Sequence, residues 1–353
     1  METVHKLFFK NSSRMDEIDS DSIDLIVTSP PYPMIEMWDS LFSKLNEKTQ
    51  VALQDGAGLK AFNLMHAELE KVWREVVRVV KPGGIACINI GDATRKISNN
   101  FQLFPNHIRV TMFFQNNGFV VLPSILWRKP TNSPNKFLGS GMLPTNAYVS
   151  LEHEYILIFR KGDEKRKLPP AFENRYHSAY FWEERNKWFS DIWVDIKGVS
   201  QKMNNQNGNS EKLRGRSAAF PLKLPYRLIN MFSIYGDTIL DPFWGKGTTT
   251  FAAMISGRNS IGYEINSEFL ESFKIDLKEL KSTTQAINSK RIKEHIDFIK
   301  TYKKKGKDPK YKAKNYEFSV ITKQETEILL YSIKEYRKSE NKFTVLYNKF
   351  EFE

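Results

Sequence analysis

Hydrophobic and polar positions in the first half of the chain alternate between short apolar runs and longer stretches with helical periodicity. The apolar runs are four to six residues long, which is the length of strands rather than of helices. Strands that alternate with helices are typical of a doubly wound, Rossmann-like α/β sheet, and we predict this fold. The candidate strands fall at residues 6–9, 24–28, 85–90, 119–122, 125–128 and 155–160.

One helix is predicted between the second and third candidate strands. Residues 64–80 carry apolar side chains at helical spacing, and the Lys-Pro-Gly-Gly that follows ends the helix. The α/β pattern stops near residue 162 and resumes after residue 218, so we expect a sheet built from two separated stretches of sequence. The resumed elements are a helix at 226–234, a strand at 238–240, a helix at 248–256 and a strand at 260–264.

Charge is distributed unevenly between these stretches. The 353 residues include 53 Lys and Arg against 41 Asp and Glu, a formal net charge of +12. Residues 160–223 and 268–353 each carry an excess of six positive charges, whereas the rest of the chain is neutral. Basic side chains release counterions from nucleic-acid phosphates, so this distribution favours a polyanionic partner, although basic surfaces also serve solubility alone.

Composition excludes several classes of protein. The apolar runs are far shorter than the roughly 20 residues that span a bilayer, so we expect no contact with a membrane. The first ten residues lack the basic and apolar regions of a signal peptide, and we therefore expect a cytoplasmic protein. Cys87 is the single cysteine, which excludes an intrachain disulfide and a cysteine-based zinc site, and we expect no metal.

The segment 238–250, TILDPFWGKGTTT, has the pattern of a ligand-binding turn. It places an acid at the end of a short strand and two glycines before a Thr-rich helix start, so that a ligand can approach the backbone and face the helix amides. Glu264 ends the next strand 23 residues after Asp241, close to the spacing at which an acid reaches ribose hydroxyls in Rossmann-like units. The two acids predict a nucleoside cofactor, whereas the position of Lys246 disfavours a phosphate-binding P-loop.

A second motif, Ser29-Pro30-Pro31-Tyr32, directly follows the candidate strand at 24–28. The two prolines stiffen the backbone and remove two N–H donors, which leaves carbonyl oxygens and the Ser29 hydroxyl directed into a cleft. Tyr32 adds a flat aromatic face. This set suits an exocyclic amine on a planar base, and the alternative is a rigid turn with a core tyrosine.

Together the two motifs resemble those of the amino-methyltransferases of restriction-modification systems, which modify DNA at exocyclic nitrogens with S-adenosylmethionine. The order, SPPY first and DPFWGKG late, is similar to that of group β, in which the catalytic half precedes the cofactor half. The resemblance covers residues 5–162 and 219–267 and no part of 268–353. Further segments similar to family elements are the KPGG unit at 81–92, HEYILIFRK at 153–161 and FPLKLPYRLI at 220–229.

The resemblance implies a role for each motif residue. The SPPY residues would hold and activate the target amine, and Glu264 would bind the cofactor ribose. Asn11 and Ser12 stand where the family often has a Gly-Asp pair, so the chain departs from the family pattern at the contact to the adenine ring of the cofactor. The residues implied around the methionine part of the cofactor and at the helix start are Asp241, Pro242, Phe243, Gly245, Gly247 and Thr248.

The head of the SPPY motif bears on the target base. Family members with Ser at this position are mostly N4-cytosine enzymes, and those with Asp are mostly N6-adenine enzymes. Ser29 therefore implies transfer to cytosine N4, with N6-adenine as the alternative. A C5-cytosine enzyme needs a cysteine nucleophile, and Cys87 lies within a candidate strand without the preceding proline of that family.

Two alternatives of other classes stay open. An RNA or protein methyltransferase could share the cofactor half, although related glutamine methyltransferases carry Asn before PPY where this chain has Ser29. A catalytically silent DNA-binding relative would fit the charge distribution, but the intact Ser29 and Gly245 argue for activity.

The resemblance divides the chain into four parts. Residues 1–162 form the catalytic half, 163–218 an inserted target-recognition region, 219–267 the cofactor-binding half, and 268–353 a basic, mostly helical C-terminal extension. The expected partner is double-stranded DNA. A cognate restriction endonuclease would act on the same site without binding to this chain, and the sequence allows a monomer or a dimer.

A base inside a duplex must rotate out to reach such a cleft, at a cost of about a few kcal/mol. We expect the inserted region to supply DNA contacts that offset this cost. Its arginines suit guanine edges, while phosphate contact or plain solvation is the alternative for each of them. The candidates are Arg175, Arg185, Arg214 and Arg216.

Overall fold

A computed structural model describes residues 1–129, 138–170, 172–198 and 220–352 of the chain. The strands among these residues belong to one large sheet and three two-stranded ribbons. They are β1 (Glu2–Phe8), β2 (Ile23–Thr28), β3 (Val80–Ile90), β4 (Ala93–Ile97), β5 (Asn100–Phe104), β6 (Phe119–Arg128), β7 (Leu138–Gly139), β8 (Ala147–Tyr148), β9 (His153–Lys161), β10 (Ile192–Trp193), β11 (Thr238–Asp241), β12 (Asn259–Tyr263), β13 (Tyr311–Lys312), β14 (Ser319–Val320), β15 (Tyr331–Ser339) and β16 (Lys342–Lys349).

The helices of the described residues flank the large sheet. The predicted helix at 64–80 begins earlier than expected, at Gly58, and ends at Val79, and the Lys-Pro-Gly-Gly that follows is part of β3. The α-helices are Asp39–Leu45, Glu47–Gln54, Gly58–Val79, Asn106–Asn116, Glu173–His177, Trp182–Trp188, Lys223–Phe232, Thr248–Ile255, Phe269–Asp276 and Leu280–Lys304. Short 3₁₀ helices occur at Glu36–Trp38, Leu277–Glu279 and Lys323–Glu325.

The large sheet has ten strands in the order β10-β6-β9-β3-β2-β11-β12-β1-β16-β15. Its centre, β3-β2-β11-β12-β1, is entirely parallel. β9 runs antiparallel between β3 and β6, and β16 runs antiparallel beside β1. A parallel sheet needs both of its faces covered, which explains why every residue of β2 is buried.

Two hydrophobic cores lie on opposite faces of this sheet. Along β2, Leu25 and Val27 belong to one core and Ile26 to the other, as the two-residue period of a strand requires. The first core includes side chains of helices Lys223–Phe232 and Thr248–Ile255, and the second includes side chains of helix Gly58–Val79. The doubly wound α/β fold predicted from the sequence is confirmed.

The predicted strands at 119–122 and 125–128 are a single strand. β6 runs through both of them and pairs with β9 on either side of an irregularity between Leu122 and Ile125. Pro123 lies at this point of the strand and lacks the N–H that a regular ladder requires. The break in the apolar pattern therefore marks a bulge rather than a loop.

The last α-helix of the described C-terminal extension ends at Lys304, and only the short 3₁₀ helix Lys323–Glu325 follows it, which differs from the mostly helical extension expected from the sequence. Beyond Lys304, β15 and β16 form a hairpin whose second strand pairs with β1 and widens the central sheet. Alternate residues of β16, Phe343, Val345 and Tyr347, are buried in the core. The extension therefore completes the sheet of the fold.

The described part of residues 163–218 packs against this extension. The Glu184 carboxylate pairs with the Arg291 guanidinium at 2.6 and 2.8 Å, and both side chains are buried. The ring of Phe181 stacks on His295 with centroids 4.2 Å apart. β10 then adds a short parallel strand beside β6. These contacts connect the described part of the region to the C-terminal extension, although the two are distant in the sequence.

Candidate active site

The carboxyl ends of the five parallel strands lie at one edge of the sheet, and residues at or after the ends of β1, β2, β11 and β12 line a cavity of about 440 Å³ there. Ligands of open α/β sheets bind at this edge. Both sequence motifs contribute to the cavity, although more than 200 residues separate them. The predicted site residues that line it are Ser29, Pro30, Pro31, Tyr32, Asp241, Pro242, Phe243, Gly245, Thr248 and Glu264.

A direct hydrogen bond connects the strand ends that carry the two motifs. Thr28 precedes Ser29, and its hydroxyl donates to Asp241 Oδ1 at 2.6 Å. The backbone N–H of Phe243 donates to the same oxygen at 3.1 Å. Burial raises the pKa of Asp241 to about 6, with these hydrogen bonds acting in the opposite direction. A buried carboxylate of this kind is stabilised by a cationic ligand.

The glycine turn is fixed by Glu264. Its carboxylate accepts the N–H of Gly245 at 2.9 Å and that of Asn266 at 2.9 Å. Because a carboxylate has about four acceptor positions, it retains capacity for ligand hydroxyls. Burial raises the pKa of Glu264, and the backbone donors oppose that rise.

The two glycines of the turn have different surroundings. Gly245 lies at φ +53°, and a Cβ there would meet nothing closer than 3.9 Å, so the backbone is open to a ligand. Gly247, at φ +78°, precedes helix Thr248–Ile255, and a Cβ there would lie 2.6 Å from Phe273 and Trp244. Gly247 is not among the described residues that line the cavity, so the structure places it in the packing behind the turn, and its predicted contact with the cofactor stays a prediction.

Behind the SPPY motif lies a polar network that sequence reasoning did not identify. Ser29 Oγ is 3.0 Å from Tyr32 Oη, which donates to Glu154 Oε2 at 3.0 Å. Asn89 Nδ2 donates to Tyr32 Oη at 2.8 Å and to Glu154 Oε2 at 2.6 Å. Lys129 pairs with the other oxygen of Glu154. Glu154 belongs to the HEYILIFRK segment, which forms β9 and was noted in the sequence as similar to a family element. Nothing in the pattern of this segment indicated that Glu154 faces Tyr32.

Sequence reasoning also missed one wall of the cavity. Residues directly after the SPPY motif and residues of helix Gly58–Val79 contribute to this wall. Asn11, Ser12 and Ser13 follow β1 and line the cavity as well, at the position where a Gly-Asp pair is often found in the resembling family. The side chains of the missed wall are Met37, Trp38, Ser40, Leu41, Phe42, Lys44, Leu45, Glu68, Leu69, Lys71 and Val72.

Of the four arginines predicted to contact DNA, the two that the structure describes do not line the cavity. Arg175 is exposed on a helix whose Asn174 donates to the carbonyl of Tyr235, which precedes β11 at the opposite edge of the sheet. Arg185 is also exposed, with its guanidinium 4.5 Å from the Phe189 ring. Arg214 and Arg216 lie outside the described residues. DNA contact by all four stays a prediction.

The part of the chain that the structure describes offers little for a cysteine nucleophile or for metal binding. Cys87 is buried in β3, and burial raises the pKa of its thiol far above the usual value, so it is a poor nucleophile. No group of His, Cys, Asp and Glu side chains in residues 1–129, 138–170, 172–198 and 220–352 could hold a metal ion. None of the described helices is both long and apolar enough to cross a membrane.

Comparison with known proteins agrees with this geometry. The family model N6_N4_Mtase, described as DNA methylase, matches residues 23–275. The Type II methyltransferase M.MthZI of Methanothermobacter thermautotrophicus is 53% identical over 354 residues, covering 100% of this chain and 95% of that protein. The Type II methyltransferase M.MjaI of Methanocaldococcus jannaschii is 52% identical over 301 residues, covering 82% of this chain and 94% of that protein.

A solved structure shares the fold and part of the sequence. TTHA0409 of Thermus thermophilus, whose name describes it as a DNA modification methylase, was solved in complex with S-adenosyl-L-methionine. It is 30% identical, with a TM-score of 0.59, over 78% of this chain and 95% of that one. The family model spans well over half of the sequence, and two relatives exceed 50% identity along most of it. The chain belongs to the DNA methylase family.

Proposed function

We propose that this protein is a site-specific Type II DNA methyltransferase that transfers a methyl group from S-adenosylmethionine to N4 of a cytosine rotated out of duplex DNA. The observation that carries the proposal is the junction of the two motifs. Ser29 follows β2 and Asp241 ends the parallel neighbour β11; both line one cavity, and Thr28 ties them together. An amine held by the first motif would therefore lie next to a cofactor held by the second.

The residues around Asp241 fit S-adenosylmethionine. The buried carboxylate of Asp241 would bind the ammonium of the methionine part, which compensates the charge that burial disfavours. Glu264 is pre-oriented by two backbone amides and has acceptor positions left for ribose hydroxyls. Gly245 leaves open space where the cofactor approaches the backbone. When bound, S-adenosylmethionine supplies a methyl group activated by its positively charged sulfur.

The SPPY residues would hold the target amine. The half-buried Ser29 hydroxyl accepts a hydrogen bond from the exocyclic NH2, while the rigid Pro30-Pro31 backbone fixes the carbonyls near it. Two bonds accepted from one NH2 hold its lone pair toward the methyl donor. Orientation of this kind lowers the barrier by fixing the reacting atoms before reaction.

The choice of cytosine rests on Ser29. An N4-cytosine target is supported by the resemblance of Ser29-Pro30-Pro31-Tyr32 to enzymes of that specificity, and N6-adenine is the second candidate within the family. The early SPPY and late DPF order supports assignment to group β. Residues 163–218 remain our proposed target-recognition region, with its arginines contacting DNA. A restriction endonuclease of the same specificity would be the functional companion, and the DNA substrate implies a cytoplasmic site of action.

The test is to identify the methylated nucleoside. Purified protein is incubated with isotopically labelled S-adenosylmethionine and mixed-sequence duplex DNA, which is digested and analysed by mass spectrometry against standards. We expect labelled N4-methylcytosine. Labelled N6-methyladenine would overturn the base assignment and leave amino-methyl transfer intact, and a DNA without label would contradict the proposed function as a whole.

A further inference from the structure

We propose that Glu154 accepts the proton that the target amine loses, through a relay formed by Ser29 and Tyr32 and oriented by Asn89. The inference rests on the proposed function, because it requires an amine at Ser29. Glu154 and Asn89 are not among the described residues that line the cavity. They act through Tyr32 and are therefore positioning residues, and Ser29 is the member of the relay that contacts the amine.

The direction of each hydrogen bond follows from donor counting. An ionised carboxylate only accepts, so the single hydroxyl hydrogen of Tyr32 is donated to Glu154 Oε2, 3.0 Å away. Tyr32 Oη then has only acceptor positions left. The Ser29 hydroxyl, 3.0 Å from Tyr32 Oη, must be the donor in that contact. The lone pairs of Ser29 Oγ are consequently free to accept from the amine.

Asn89 enforces this direction. Its amide nitrogen lies 2.6 Å from Glu154 Oε2 and 2.8 Å from Tyr32 Oη, so both of its N–H groups are donated into the network. The opposite orientation of the Asn89 amide would place its oxygen against the Glu154 carboxylate, and the two would repel. The amide nitrogen is therefore assigned to the side that faces Glu154 and Tyr32. The remaining contact of the amide nitrogen with Ser29 Oγ is long, at 3.5 Å. Donation by Asn89 fills one acceptor position of Tyr32 and leaves the other for Ser29.

The surroundings place a cation beside Glu154 and keep Tyr32 protonated. Lys129 pairs with Glu154 on the side away from Tyr32, and its ammonium also lies 4.7 Å from the Trp127 ring. Burial, followed by the charge of Glu154, holds the pKa of Tyr32 well above its usual value. Tyr32 therefore passes a proton on as it receives one, and does not act as a base itself.

Close packing holds the ring of Tyr32 in place. Gly91 follows β3, and a Cβ there would lie 3.0 Å from Tyr32 Cε2 and 3.2 Å from Glu154 Cγ. A larger residue at this point would require the ring or the carboxylate stem to move by a few tenths of an ångström. β3 and β9, which carry Asn89 and Glu154, are paired neighbours in the sheet. Rigid elements of this kind fix a relay more accurately than loops would.

The step balances in atoms and charge. The amine nitrogen forms its bond to the methyl carbon while the methyl–sulfur bond breaks and its electron pair stays on sulfur. One N–H proton moves to Ser29 Oγ, the Ser29 hydroxyl proton moves to Tyr32 Oη, and the Tyr32 proton moves to Glu154. The products are a methylated neutral amine, unchanged Ser29 and Tyr32, and a protonated Glu154 that later returns its proton to water.

The test compares Glu154→Gln with Glu152→Gln under single-turnover conditions. The Gln side chain keeps the shape of Glu154 and an acceptor for Tyr32 but cannot take a proton. We expect the transfer rate to fall about 100-fold, the scale of general base catalysis, with S-adenosylmethionine affinity and KM for DNA unchanged. Glu152 pairs with Arg128 at the surface two residues earlier, and its variant should retain the wild-type rate.

A double-mutant cycle with Tyr32→Phe separates a relay from a structural role. If both residues belong to one proton path, the double variant is no slower than the slower single variant. The relay would be overturned if the rate losses of the two single variants multiplied in the double variant, or if Glu154→Gln transferred methyl groups at the wild-type rate. Calorimetric cofactor binding shows that each variant is folded. Methylation of an exocyclic amine by the wild type is scored separately, so failure of the relay is distinct from failure of the proposed function.

Discussion

Thr28 and Asp241, 213 residues apart in sequence, are joined by a hydrogen bond of 2.6 Å between the threonine hydroxyl and Oδ1 of the aspartate. Thr28 is the last residue of β2 and Asp241 the last of β11, which are parallel neighbours. The bond fixes the start of the SPPY motif relative to the start of the DPF motif. Methyl transfer needs two ligands at a defined separation, and this contact sets the separation of the residues that we propose to hold them.

We expect Asp241 to lower the free energy of unfolding of the protein and to strengthen its binding of S-adenosylmethionine. Burial raises its pKa from 3.8 to about 6, so the charged form present at pH 8 is unfavourable in the cofactor-free protein. Asp241→Asn should increase the free energy of unfolding at pH 8 by on the order of 2–3 kcal/mol, measured by denaturant titration. The same variant should bind S-adenosylmethionine about 10- to 100-fold more weakly, measured by calorimetry, because an ion-assisted hydrogen bond is lost.

The sign of the pH dependence provides a check on this prediction. Between pH 3.8 and about 6 the folded protein binds the Asp241 proton and the unfolded chain does not. The contribution of this group to stability therefore falls as pH rises through that window and stays low above it. The stability advantage of Asp241→Asn should shrink toward zero as pH is lowered to about 4. A wild type that is more stable than the variant at pH 8 would contradict the assignment.

The two glycines of the turn should respond differently to substitution. Gly245→Asp introduces a carboxylate beside Glu264 in open space, so cofactor affinity should fall at least 10-fold with a stability loss of about 1 kcal/mol from the positive φ. Gly247→Ala places a Cβ 2.6 Å from Phe273 and Trp244, so stability should fall by roughly 2–4 kcal/mol. Calorimetry and thermal unfolding measure the two effects. Equal changes in cofactor affinity and in stability for the two variants would refute this distinction between an open glycine and a packed one.

The buried pair Glu184–Arg291 should be essential for docking the C-terminal extension. Its side chains are about 10% exposed, and removal of one partner leaves an uncompensated buried charge. Glu184→Ala should lower the free energy of unfolding by about 3–5 kcal/mol, measured by denaturant titration. Glu294→Ala is the matched control, since it breaks the exposed pair with Lys290 and should cost less than about 1 kcal/mol. Similar losses in both variants would argue against a role for burial.

The central fold was predictable because several of its strands, such as β2, are buried apolar runs and because its motifs lie directly at strand ends. β2 and β11 appear in the sequence as short apolar runs, and a parallel sheet brings their carboxyl ends together, so residues 29 and 241 could be expected in one site. The hairpin β15–β16 was missed because β15 is mostly polar and charged, with Ile333 as its single buried residue, and β16 spans only 8 residues. Its alternation is nonetheless present at Phe343, Val345 and Tyr347.

The relay residues could not be found by pattern. Asn89 lies inside an apolar run and Glu154 near the start of another, and each is an ordinary strand residue until β3 and β9 pair. Their meeting depends on strand order, which local sequence does not specify. The surroundings of Arg175 depend in the same way on packing against residues near Tyr235.

The most direct test of the account is the effect of Ser29→Ala on single-turnover methyl transfer, with S-adenosylmethionine affinity measured on the same preparation. Ser29 is assigned to the amine and does not contact the group of residues around Asp241 in any described hydrogen bond. The account predicts cofactor affinity within about twofold of the wild type and a transfer rate at least 100-fold lower. A variant that transfers methyl groups at the wild-type rate would contradict the role of Ser29 and with it the proposed site.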